Sequence, residues 1–246
     1  MRLLTTRFAQ WALAATLALP TLASAAVLVG TKWGSSTLGT AATVSWSLTG
    51  NINCAADGSG TCAPLSSFMP VGFESEIQAG FDAWSNVANL TFVQMVDNGV
   101  ASNASGTNAD IRISGHAIDG MLGVLAHGYY PPPNGDSIAG DVHFDTAEVW
   151  DIGSAGSGFS IFQVFAHELG HALGLAHTAV PNSLMNAFYS EAFSGPQADD
   201  IAGMQQLYGV REDNSVPEPG ALALVGLALA TLGMRRRSAQ RQAGLG

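Results

Sequence analysis

The stretch "HELGHALGLAH", residues 167–177, gathers three of the chain's six histidines, one acid and two glycines into eleven positions. His167 and His171 are four residues apart within "FSIFQVFAHELGHALG" (159–174), whose apolar spacing predicts a helix, so both imidazoles leave one face about one turn apart. That separation suits two ligands of one tetrahedral Zn²⁺, and Glu168 between them is placed to act as general base on a water activated by the metal. A helix continued without a break would carry His177 away from that metal. Gly174 offers a left-handed cap that turns the chain and brings His177 back. Three nitrogen ligands leave a fourth position open, as in a catalytic zinc site and unlike a closed structural one.

Outward from this segment the pattern is that of a layered α/β domain, one sheet with helices packed on it. "ATVSWSLT" (42–49) alternates as a strand does, and 90–96, 109–114, 123–130 and 140–145 read as further strands between Gly, Asn and Ser turns. In 73–88 Phe73, Ile77, Phe81, Trp84 and Ala88 recur at helical spacing. A third helix is expected over 196–209, with Pro196 at its start and Gly209 at its end.

The full pattern, His-Glu-x-x-His-x-x-Gly-x-x-His, resembles that of the metzincin metallopeptidases. The resemblance implies their zincin-like fold, a twisted mixed sheet of about five strands with three helices, and a methionine turn beneath the metal, for which Met185 in "NSLMNAFY" stands ready. Tyr189, four residues after Met185, is placed as in the matrixins, where that tyrosine walls the specificity pocket, and Ala187 replaces the ligand tyrosine of astacins and serralysins. The segment 119–148 is similar to the matrixin loop that carries a second, structural zinc and calcium. Residue by residue, the resemblance implies His127 and His143 as structural zinc ligands, Asp119, Asp145 and Glu148 as calcium acids, and Asp110 and Asp141 as acids of a second calcium site. "GHAIDG" departs from the family's His-x-Asp spacing; His116 is left as a third zinc ligand, with Asp119 or another group in place of the missing aspartate. The resemblance runs from about Trp33 to Gly209, and no cysteine-switch propeptide of the vertebrate matrixin type is expected in the short stretch before the first strand.

The ends read differently. Residues 1–25 have basic Arg2 and Arg7, an apolar core and an Ala23-Ser24-Ala25 site, the order of a secretory signal peptide. Residues 213–246 hold Pro217-Glu218-Pro219-Gly220, an apolar run from Ala221 to Met234 and the basic Arg235 to Arg237. That run of fourteen residues falls short of the ~20 that span a bilayer as a helix, a marginal membrane tail. The arrangement resembles the PEP-CTERM sorting signal of Gram-negative bacteria, which implies an exosortase-type partner, transient anchoring in the inner membrane, and release to the cell surface or extracellular matrix. Between the ends, 26–212 is expected to form one catalytic domain and to act as a monomer. Three basic residues against eighteen acidic ones in 26–216 disfavour nucleic acid as a partner. Cys54 and Cys62, the only cysteines, are expected to form a local disulfide in an exported chain.

The function expected is a secreted zinc endopeptidase acting on extracellular protein or peptide. Two other readings stand beside it: a non-catalytic matrix or adhesion protein whose metals only stabilise the fold, and an enzyme that processes its own chain or one surface protein.

Overall fold

The computed structural model describes residues 26–104, 108–132, 138–154 and 156–211. The expected signal peptide and the sorting segment lie outside the described residues. No helix among the described residues is long and apolar enough to cross a membrane.

The main sheet has five strands: β1 (Ala42–Leu48), β2 (Leu90–Gln94), β3 (Ile111–His116), β4 (Ala126–Gly128) and β5 (Val142–Asp145). Their spatial order is β2-β1-β3-β5-β4, with every neighbour parallel except the edge strand β4, which runs antiparallel to β5. The helices are α1 (Phe73–Ser85), α2 (Ile161–Ala172) and α3 (Ala198–Tyr208).

Alternation in β1 turns Ala42, Val44 and Trp46 into the core. The interior strand β3 is buried at every position, as expected of a parallel strand flanked on both sides. The apolar stripe of α1, Phe73, Ile77, Phe81 and Trp84, meets the sheet, and Phe81 stacks on Trp46 at 4.5 Å between ring centroids. Phe165 of α2 stands edge-on to Phe81 at 5.0 Å, so both helices lie on the same face of the sheet. Gly80 makes that approach possible, because a Cβ there would fall 2.4 Å from the Phe165 ring. Burying each such phenylalanine contributes about 2 kcal/mol, which is why this aromatic seam, more than helix propensity, fixes α2 against the sheet.

Most elements are shorter at their ends than the pattern predicts, for local reasons, while β3 runs on to His116, two residues past its predicted end. Phe159–Ser160 pairs in parallel with Trp150–Asp151, so α2 starts two residues later, with the Ser160 hydroxyl accepting the N–H of Gln163 at its first turn. The predicted strand over 123–130 narrows to β4, because Tyr129 and Leu125 make single hydrogen bonds to Asp141 and Asp145 outside the ladder. Short paired strands at Ile52–Asn53 with Thr61–Cys62, and at Val27–Leu28 with Leu175–Ala176, carry no periodic signal at two residues each.

Candidate functional site

Helix α2 ends as the glycine predicts. The N–H groups of Leu173 and Gly174 close on the carbonyls of Leu169 and His171, and Gly174 sits at φ +111°, a backbone conformation that side-chain-bearing residues rarely adopt. A Cβ at Gly174 would also lie 2.5 Å from the Thr31 carbonyl oxygen. Leu175–Ala176 then runs antiparallel to Val27–Leu28, and the chain emerges at His177.

The turn gathers three imidazoles. His177 Nε2 lies 3.2 Å from His167 Nε2 and 3.1 Å from His171 Nε2. Nitrogens at 2.0–2.1 Å around a tetrahedral zinc are roughly 3.3 Å apart, so the spacing fits. His167 Nδ1 is 2.6 Å from the Leu184 carbonyl and His171 Nδ1 is 2.7 Å from that of Leu175. Each Nδ1–H therefore donates to backbone, which fixes the tautomer and leaves an Nε2 lone pair aimed at the common point. Three nitrogens so crowded repel unless a cation sits among them. Burial holds the pKa of His167 down to about 4, and burial with the neighbouring His167 holds His171 down to about 3, so both present neutral imidazoles near pH 7.

Glu168 is buried, 7% exposed, at the edge of this cluster, and its carboxyl accepts the N–H of Gly128 from β4. Burial pushes its pKa up to about 8. A cleft of about 420 Å³ opens beside it, lined among others by Leu125, Val164, His167, Leu184 and Tyr189. The Tyr189 hydroxyl accepts the N–H of Ser160 at 2.9 Å, which pins the ring to the start of α2 as the cleft wall. Beneath the three imidazoles Met185 is buried, and a Cβ on Gly170 would fall 2.4 Å from its sulfur, so the glycine in the helix face makes room for the methionine.

The sequence reading missed Asp200. From the first turn of α3 its buried carboxylate accepts the Ser183 hydroxyl, the N–H groups of Leu184 (2.7 Å) and Met185 (3.1 Å), and its own helix's Gln197 N–H (2.8 Å). It thus holds the Met185 turn, whose Leu184 carbonyl orients His167. An acid in the first turn of a helix is an ordinary N-terminal preference, which hid its second role.

The other three histidines also converge. The register places His127 directly opposite His143 across the β4–β5 pair, and His116 ends β3. Among the described residues the carboxylate beside them is Asp57, not Asp119. Its Oδ2 contacts His116 Nε2 and lies 2.7 Å from His143 Nδ1 and 3.3 Å from His127 Nε2. Asp57 stands in a short 3₁₀ turn, Ala55–Asp57, inside the loop that the Cys54–Cys62 disulfide closes. Burial raises its pKa, but hydrogen bonds from His127, His143 and Tyr129 outweigh that and hold it well below the carboxylate range.

Asp119 instead accepts the N–H of Val124 at 2.9 Å. Asp145 accepts the N–H groups of Asp119 and Gly120, and Glu148 that of Leu122, so these three acids brace one loop, with Glu148 Oε2 buried and unpaired among the described residues. Asp110 accepts from Ser45 and Asp141 from the Arg112 N–H, and Asp141 Oδ2 is likewise buried without a partner among the described residues.

Three clustered imidazoles at the end of a helix, a glutamate between two of them and a methionine turn below define a metzincin-type zinc peptidase fold. The chain belongs to the matrixin family, whose pattern matches residues 66–209. Residues 215–237 match the PEP-CTERM protein-sorting motif. Among known proteins the chain is 37% identical to karilysin of Tannerella forsythia over 144 residues, 55% of this chain and 28% of that protein. It is 39% identical to human matrix metalloproteinase-20 over 150 residues, 59% of this chain and 30% of the relative. The chain thus spans about a third or less of the length of these relatives.

Proposed function

We propose that this chain is an exported zinc endopeptidase that cleaves extracellular protein, with 26–212 as its catalytic domain, 1–25 as a signal peptide and 213–246 as a segment handled by an exosortase-type enzyme. The observation that carries the reading is the convergence of His167, His171 and His177 beside buried Glu168 in an apolar cleft. Zinc, when bound, supplies a Lewis acid that polarises the scissile carbonyl and makes a water easier to deprotonate. His167, His171 and His177 would hold it, oriented by the Leu184 and Leu175 carbonyls. Glu168 takes a proton from water and returns it to the leaving amine.

The edge strand β4 lies beside α2, so an extended substrate would pair with its backbone while one side chain enters the cleft walled by Tyr189. The cleft's lining of Leu125, Val164 and Leu184 favours an apolar side chain at that position. Glu148 Oε2 and Asp141 Oδ2, buried and unpaired among the described residues, support calcium at the two places expected from the resemblance. Zinc-dependent hydrolysis of an unstructured protein such as casein, abolished by a chelator and restored by zinc, tests the reading.

A further inference from the structure

We propose that Asp57, carried on the disulfide-closed loop 54–62, is the fourth ligand of a closed metal site with His116, His127 and His143, so that metal retention there depends on the Cys54–Cys62 bond. This stands apart from the peptidase reading, because its test counts metal and needs no cleavage.

His116 Nδ1 lies 2.9 Å from the Ala117 carbonyl and donates to it, which leaves the Nε2 lone pair facing both the Asp57 carboxylate and His127 Nε2 at 3.3 Å. The His116 lone pair is poorly matched to the carboxylate oxygen it faces, and both are well matched to a dication that the other two imidazole nitrogens also reach. Three nitrogens and one oxygen, all within 4.8 Å of one another, form a tetrahedral zinc donor set with no position left open. The second carboxylate oxygen is held by the Tyr129 hydroxyl, the kind of outer partner that orients a ligand.

The loop is what delivers the acid. Asp57 comes 59 residues before the first histidine of the set, from outside the segment that carries all three. The disulfide fixes both legs of the loop, and Ala63, just past it, exchanges both backbone hydrogen bonds with Gly115, the neighbour of His116. Without the covalent closure, the nine residues from 54 to 62 regain conformational freedom that metal binding must then remove.

The test is zinc counted by elemental mass spectrometry on protein purified with its disulfide intact, followed by competition with a chromophoric chelator. The wild type is expected to hold two zinc ions, His171→Ala one, and His171→Ala with Asp57→Ala none. Asp57→Ala alone should keep one, with affinity at the second site down by more than about 100-fold. The double variant Cys54→Ser, Cys62→Ser, which removes the closure without adding a thiolate, should lose the second ion to the chelator about 10- to 100-fold more readily. Should Asp57→Ala fail to fold, Asp57→Asn keeps the shape, and its one retained zinc and far-ultraviolet spectrum report the fold. Two zinc ions held with unchanged chelator resistance in the Asp57 variants would overturn the ligand assignment. A single zinc in the wild type would overturn the site, and an unaltered second site in the serine double variant would overturn the dependence on the disulfide.

Discussion

Asp200 and Met185 are joined by a hydrogen bond from the Met185 backbone N–H to the Asp200 carboxylate at 3.1 Å, which ties α3 to the turn beneath the three-histidine cluster. With Ser183, Leu184 and Gln197 donating to the same carboxylate, the group is buried and fully engaged. Asp200→Asn turns part of an acceptor-only group into a donor facing donors. It is expected to cost about 2–4 kcal/mol of unfolding free energy, read from urea titration, and to weaken zinc binding through the shifted Leu184 carbonyl. A stability within 0.5 kcal/mol of wild type, the ordinary range for a surface change, would show that this network does not hold the turn.

Gly174→Ala meets two obstacles together: φ of +111° and a Thr31 carbonyl oxygen 2.5 Å from the new Cβ. Backbone strain of about 1–2 kcal/mol adds to the steric displacement. The expected outcome is a destabilised protein with His177 displaced, seen as zinc lost at chelator concentrations that the wild type withstands. An alanine variant with wild-type zinc affinity would contradict the role given to the turn.

Arg112 is wholly buried in β3, with Asp97 as its ion-pair partner at 2.8 Å and the carbonyls of Val100 and Ala101 taking further N–H groups. Burial pushes the Asp97 carboxyl up, but the hydrogen bond and charge of Arg112 and the Gly99 N–H outweigh it and hold it below its ordinary value. The folded pKa is therefore the lower one. Its stabilisation is present above the unfolded value of about 3.9 and is lost as pH falls through the depressed folded value. Asp97→Asn should flatten that acid limb of the stability curve and cost about 3 kcal/mol at neutral pH, because it leaves a buried guanidinium unpaired. Parallel acid limbs in wild type and variant would rule out this pair as their source.

How much could be read beforehand depended on distance along the chain. His167, His171, Gly174 and Glu168 interact within one helix and its cap, so spacing alone exposed them, and the helices and five main strands followed from apolar periods of 3.6 and 2. Asp57 reaches His116 only through a folded sheet and a disulfide loop, and no local pattern marks such a meeting. The aspartate missing from "GHAIDG" was visible as a gap, while its replacement was not. Asp200 was hidden for another reason, since an acid at a helix start already has a sufficient local explanation. The two-residue strands escaped because pairing, not periodicity, creates them.

In the proposed zinc peptidase Glu168 moves the proton. Glu168→Ala leaves the three imidazoles and their orienting carbonyls untouched, so the variant should bind zinc at the His167, His171 and His177 centre with wild-type stoichiometry. Its rate of casein cleavage should fall by about 10²–10⁴-fold, measured on protein of verified zinc content. Undiminished cleavage by zinc-loaded Glu168→Ala would contradict the account.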